Sequence, residues 1–250
     1  ADRALLLVTS LFTVIGVALR FWPRSGLWLD EALSANISSL PLNEIPTALK
    51  HDGHPPLYYF LLHFWMMIGS SDWWLRALSG VISLLGLPLA YLAGRRLGAR
   101  RTSDGLGARR TGAIVTALWA VLPFAVRYGA ETRMYALVSV LVLAGYLLID
   151  SLVGDQPDGG LGPPRTGTTA VGLVIVTAAL LYTHYWAIWL GAATAIVVTV
   201  VGWRSVDADR RRGAWKALGA MAVGVVLFVP WTPVMAYQSA HTGTPWGEVF

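Results

Sequence analysis

Residues Pro55–Gly69 read PPLYYFLLHFWMMIG, and where this stretch lies decides the fold. It is apolar, but its 15 residues fall short of the roughly 20 that a membrane-crossing helix needs. Two basic clusters arbitrate. Arg95, Arg96, Arg100, Arg101, Arg109 and Arg110 follow the apolar segment beginning at Leu75, and Arg204, Arg210, Arg211, Arg212 and Lys216 follow the one beginning at Trp186. Both belong on the cytoplasmic side. If Pro55–Gly69 crossed the bilayer, the first cluster would fall outside unless the N-terminus did too. If it lies in the outer interface, as its tyrosines and tryptophan suit, the N-terminus and both clusters fall inside. The region Pro23–Trp74 is then one extracytoplasmic loop carrying two helices along the membrane surface.

Composition fits this reading. Hydrophobic residues make up 55% of the chain and charged residues 13%, against roughly 25% charged in ordinary soluble domains. Cysteine is absent, which removes disulfides and thiolate metal sites. The net charge of +5 comes mostly from the arginine clusters and reads as membrane anchoring, not nucleic-acid binding. Candidate spans are Ala4–Trp22, Leu75–Gly94, Gly112–Tyr128, Met134–Leu152, Thr168–Thr183, Trp186–Trp203 and Ala214–Ala236. The first is too long for a signal-peptide core, and no small-residue cleavage site follows it. The expected fold is an all-α polytopic membrane protein of the plasma membrane, with about seven transmembrane helices plus two extracytoplasmic juxtamembrane helices. Thr183-His184-Tyr185 should bend a hairpin, and Gly154–Gly167, rich in glycine and proline, should be a flexible loop. The chain ends at Gly247-Glu248-Val249-Phe250 without a terminating pattern, so residues 1–250 are expected to be the N-terminal membrane module of a longer protein.

This topology gathers polar groups at one membrane face. Asp30 and Glu31 open the first surface helix, in which Leu29, Leu33, Ile37 and Leu40 form an apolar face and Asp30, Ser34 and Ser38 a polar one. His51, Asp52 and His54 precede the second surface helix. Arg127, Tyr128, Glu131 and Arg133 lie between the third and fourth spans, and His184 lies at the outer bend. Ionisable residues that converge near a membrane mark a site. A carboxylate can take the proton of an incoming hydroxyl, and the planar fork of arginine suits phosphate oxygens. Together they suit sugar transfer from a polyprenyl phosphate. No Walker loop and no Gly-x-Gly-x-x-Gly after a strand points to a nucleotide. Each residue also has a plainer role: Asp30 and Glu31 at a helix start, Arg127 as an interfacial anchor, His184 as a bend-closing histidine, His63 in the packing, Trp73 and Trp74 in an aromatic belt.

Four motifs resemble the GT-C superfamily of membrane glycosyltransferases, nearest to its protein O-mannosyltransferase and aminoarabinose transferase branch. They are Trp28-Leu29-Asp30-Glu31; Asp52-Gly53-His54-Pro55-Pro56-Leu57-Tyr58-Tyr59; Arg76-Ala77-Leu78-Ser79, in a span ending Gly94-Arg95-Arg96-Leu97-Gly98; and Tyr128-Gly129-Ala130-Glu131-Thr132-Arg133-Met134-Tyr135. The resemblance covers roughly residues 20 to 140. It implies an inverting transferase with Asp30 as catalytic base supported by Glu31, and with Arg133, His54 and Tyr59 at the donor phosphate. Asp52, Glu131, Tyr128 and His184 complete the candidate site. The implied partners are a polyprenyl-phosphate sugar donor, a lipid, glycan or protein acceptor, and membrane lipids, with no nucleic acid. In the aminoarabinose branch a Glu-Lys-Pro-Pro run supplies a metal ligand and a phosphate-binding lysine. Gly53 and His54 stand at those positions, so the ligand is missing at its expected place; a divalent metal ion stays open, with Asp52 or His184 as substitutes. The competing reading is a transporter or flippase of a lipid-linked saccharide, against which stand the lack of an internal repeat and of matched broken helices. A third is a silent scaffold subunit of a glycan-assembly complex.

Overall fold

A computed structural model describes residues 2–22, 25–101, 105–154 and 167–242. These residues form helices and connecting turns, with no strand among them. Helix α1 (Asp2–Phe21) leads to three short helices, α2 (Leu29–Ser38), α3 (Ile45–Leu49) and α4 (Leu57–Met66). The long rods follow: α5 (Asp72–Leu84) with α6 (Gly86–Arg101), α7 (Gly105–Val121) with α8 (Pro123–Gly129), α9 (Tyr135–Val153), α10 (Gly167–Leu181), α11 (Ala187–Arg204) and α12 (Ala208–Phe228). A 3-10 turn at Val229–Trp231 joins α12 to α13 (Thr232–His241).

Among the described residues five helices are long and apolar enough to cross a membrane: α1, the α5–α6 rod over 30 residues, α9, α11 and the α12–α13 rod; the bent α7–α8 pair makes a sixth if it is one span. The expected seven is therefore reduced. Helix α10, over the fifth expected span, has only 15 residues, and α7 meets α8 at 56°. Pro123 explains the break, because it lacks the N–H that would bond the carbonyl of Trp119. Arg20, buried in the last turn of α1, supplies the missing donors. Its Nη1 donates to the carbonyls of Ala120 (2.6 Å) and Gly16 (2.7 Å), its Nη2 to Trp119 (3.3 Å), and its Nε to the Ser83 hydroxyl (2.9 Å).

The α6–α7 hairpin packs backbone against backbone. A Cβ at Gly94 would lie 2.9 Å from Cα of Gly112, and one at Gly98 would lie 2.8 Å from Cα of Ala108. Small residues four apart permit such close approach. At the far end of the hairpin Arg96 and Arg100 both pair with Asp150, at 3.1 and 2.5 Å, fixing α6 to α9.

The segment between α1 and α5 holds three helices where two were expected; α3 is the addition, and its Ile45 and Leu49 are fully buried. Helix α2 is turned with its polar side inward. Glu31, Ser34 and Ser38 are buried, whereas Leu29 and Leu33 are exposed. In water this would cost apolar exposure; against lipid it is the favourable orientation. Helix α4 is tied down by His63, whose Nδ1 donates to the carbonyl of Ser38 (2.8 Å), and by the Leu57 N–H bonding the Tyr182 carbonyl (2.9 Å). His63 thus has the structural role read from its sequence. Thr183–Tyr185 does form the bend between α10 and α11. The expected flexible loop lies outside the described residues apart from its ends, Gly154 and Gly167.

Candidate functional site

The site is organised around Glu31. This carboxylate is fully buried in the first turn of α2 and accepts four hydrogen bonds. Oε1 takes Nε of Arg76 (2.9 Å) and the backbone N–H of Thr132 (2.8 Å); Oε2 takes Nη2 of Arg76 (2.6 Å) and the N–H of Trp28 (3.2 Å). The bond to Trp28 is the backward half of a capping box. The fork-to-fork pair with Arg76 crosses to α5, and the Thr132 bond holds the turn between α8 and α9. Burial alone would raise the Glu31 carboxyl; Arg76 and the two backbone N–H groups outweigh it and hold it below its ordinary value. Arg76 also donates to the carbonyls of Ser25 (2.5 Å) and Gly26 (2.9 Å). One ion pair thus joins three segments, and Glu31 has no free lone-pair position facing a ligand.

Asp30, one residue earlier, is its opposite in environment. Its side chain is 40% exposed, and Oδ2 lies 3.8 Å from Nη2 of Arg133, whose own side chain is 4% exposed. Arg133 reaches this position from the turn before α9. Its Nη1 donates to the Ser34 hydroxyl (3.2 Å) and the Asp30 carbonyl (3.4 Å), and its Nε is buried without a partner. Its Nη2 faces Nε2 of His54 at 3.2 Å. A guanidinium only donates, so Nε2 of His54 accepts and the ring hydrogen sits on Nδ1. Nδ1 then donates to the Asp52 carboxylate (3.0 Å), which also receives the Tyr59 hydroxyl. Burial pushes the Asp52 carboxyl up, but the bonds from His54 and Tyr59 prevail and hold it below the ordinary range. Tyr59 is buried, and burial together with the Asp52 charge raises its phenol well above the usual value, so it remains a donor. Gly53, at φ +80°, makes the left-handed turn between Asp52 and His54.

An aromatic ladder continues from this cluster. His54 meets His184 (6.2 Å between ring centres), His184 meets Tyr135 (5.8 Å), Tyr135 meets Tyr128 (4.4 Å), and Tyr128 meets Phe124 (4.4 Å). The Trp186 N–H donates to Nδ1 of His184 (3.2 Å), which leaves the ring hydrogen on Nε2. Burial, with the nearby His54 and Arg133, lowers the basicity of His184. Glu131 stands apart. It pairs with Arg127 (3.0 Å), and burial raises its carboxyl above the ordinary value despite that partner. It lines a cleft with Arg20, Trp28, Glu31, Trp73, Arg76 and Arg127, which Arg133 does not line.

The fold therefore brings Asp30, Arg133, His54, Asp52, Tyr59 and His184 together, with Tyr128 further along the ladder. Glu31 and Glu131 serve neighbouring positions. Among the described residues no three His, Asp or Glu groups come together as a metal cluster, and Asp52 is engaged by His54 and Tyr59. Three participants lacked a chemical signal in the sequence. Arg76 sits inside an apolar segment, and its role emerges only across the pair with Glu31. Arg20 stands in the last turn of the apolar α1, and its partners on α5 and α7 are far away in sequence. Gln238, near the end of α13, is buried and donates through Nε2 to the carbonyls of Leu49 (2.7 Å) and His54 (3.2 Å), while its Oε1 receives the Tyr185 hydroxyl. An isolated glutamine 184 residues from His54 in sequence gives no local sign of this contact. No known family, curated protein or solved structure matches the chain.

Proposed function

We propose that this chain is the catalytic membrane part of a GT-C-type glycosyltransferase, working at the extracytoplasmic face of the plasma membrane. The supporting observation is the half-exposed Asp30 carboxylate 3.8 Å from the buried Arg133 guanidinium, with His54 on the same fork. A base and a phosphate-binding cation stand side by side at one end of an apolar helix bundle. The donor is a polyprenyl phosphate sugar and the acceptor carries a hydroxyl. Asp30 takes the acceptor proton as its oxygen bonds to the anomeric carbon. The bond from that carbon to the phosphate oxygen breaks, its electron pair leaves with the lipid phosphate, and attack from the opposite side inverts the centre. Arg133 stabilises the charge that grows on the leaving phosphate, and His54, whose Nε2 accepts from the guanidinium, positions it. Arg133 must then exchange His54 and Asp30 contacts for phosphate oxygens, and its unpaired Nε is a donor in reserve. Glu31 acts through position, holding α2 against α5 and the Thr132 turn.

The inward-turned polar side of α2 supports the interfacial placement, since its exposed leucines then meet lipid. The test is incubation of purified protein with labelled polyprenyl phosphate sugar. Transfer releases free polyprenyl phosphate; movement across vesicles without release would support transport instead. Asp30→Asn should abolish release and keep the fold, because Asp30 is exposed and makes no hydrogen bond that the fold needs. Full activity in that variant would remove Asp30 from the mechanism.

A further inference from the structure

We infer that the cleft between the end of α1 and the start of α5 is a second site, built for the phosphate of an anionic membrane-lipid headgroup. This rests on the outer-surface placement proposed above and not on the transfer chemistry. The cleft encloses about 220 Å³. Arg20, Arg76 and Arg127 line it against only two carboxylates, Glu31 and Glu131, and both carboxylates are already paired, with Arg76 and Arg127 respectively. Arg127 commits only its Nε to Glu131 and is 69% exposed, so both terminal nitrogens of its fork are available to an anion. The forks of Arg20 and Arg76 are committed to partners within the protein and add charge but not open donors, so the Arg127 fork, beside carboxylates neutralised in pairs, makes a net positive recess suited to phosphate oxygens.

The walls indicate a lipid as the source of that phosphate. Trp28 and Trp73 are each about half exposed and flank the recess. The Trp73 indole donates to the Phe21 carbonyl (2.9 Å), so its ring joins the end of α1 to the start of α5. Tryptophans so placed occupy headgroup depth in a bilayer. Within two turns of the cleft α1 exposes Val14, Ile15 and Leu19, an apolar track for acyl chains. The cleft is separate from the Asp30–Arg133 pair, since neither residue lines it.

The test is native mass spectrometry of the detergent-purified chain titrated with phosphatidylglycerol, phosphatidylcholine and inorganic phosphate. Phosphatidylglycerol should bind in preference to phosphatidylcholine. Arg127→Gln should weaken phosphatidylglycerol by about tenfold, the loss of charge-assisted bonds. Glu131→Gln should tighten it, because a carboxylate facing the anion is gone. Arg212→Gln, at an exposed arginine of the second basic cluster, should leave it unchanged. Equal binding of the two lipids, or indifference to both cleft variants, would overturn the site. Inorganic phosphate binding with the same variant dependence, without phosphatidylglycerol binding, would overturn the lipid assignment and leave a free-anion site. Loss of sugar transfer in Asp30→Asn bears on neither arm, so the two readings fail separately.

Discussion

Replacing Glu31 with alanine should loosen the packing of α2 against α5 and the α8–α9 turn, because one side chain satisfies donors from three segments. The substitution orphans the Arg76 guanidinium, whose side chain is 13% exposed, and strips the N–H groups of Thr132 and Trp28 of their acceptor. Breaking a buried pair from one side costs about 3–5 kcal/mol, most of it the unpaired charge that remains. The double variant Glu31→Gln with Arg76→Met leaves no orphan charge, so its cost should fall short of the sum of the single variants by about 1–3 kcal/mol. The assay is reversible unfolding in detergent micelles at pH 7, followed by tryptophan fluorescence. Acid titration adds a second reading. Glu31 titrates below its ordinary value in the folded chain, so its stabilisation is complete above the ordinary carboxyl range and disappears as pH falls through the lower folded value. The acid limb should be shallower in Glu31→Gln. A loss below about 1 kcal/mol in Glu31→Ala, as for a surface pair, or strict additivity in the double variant would refute the hub.

Arg20→Met should lower stability by about 2–4 kcal/mol, measured by thermal melting, since it removes the donors to the broken end of α7. Gly94→Val should cost about 1–3 kcal/mol in the same assay through a forced separation of α6 and α7. His184 titrates below its ordinary value of 6.5, so the folded state should lose stability as pH falls below that value; His184→Gln should remove this limb, seen by melting across pH 5–8. If the proposed transfer is the reaction, Gln238→Leu should raise KM for a polyprenyl phosphate sugar more than it lowers kcat, because it frees the His54 carbonyl without touching Asp30.

How much of this was legible in sequence follows from the range of each interaction. The rods could be read because hydrophobic runs and arginine clusters are local signals, and the gathering of Asp30, His54, Arg133 and His184 was expected from counting membrane sides. The break at Pro123 was harder to foresee: the proline was visible, but its tolerance depends on Arg20, about 100 residues away, supplying the lost donors. Helix α10 looked like a span because residues 168–183 are uncharged and mostly apolar, whereas its helix stops at Leu181 before the bend at His184. The most informative case is α2. Its apolar stripe of Leu29, Leu33, Ile37 and Leu40 was plain, but periodicity does not say which side faces the protein. In a soluble domain the leucines would turn inward. Here Glu31 has four donors waiting on the inner side, and Arg133 requires Ser34 and Asp30 there as well. Satisfying those buried charges outweighs hiding two leucines, provided that lipid receives the leucines. The same rotation leaves Asp30 at the edge of the helix, half exposed beside the guanidinium of Arg133, while its neighbour Glu31 is locked away. Adjacent carboxylates thus acquire different roles from a rotation of about 100° per residue along one helix.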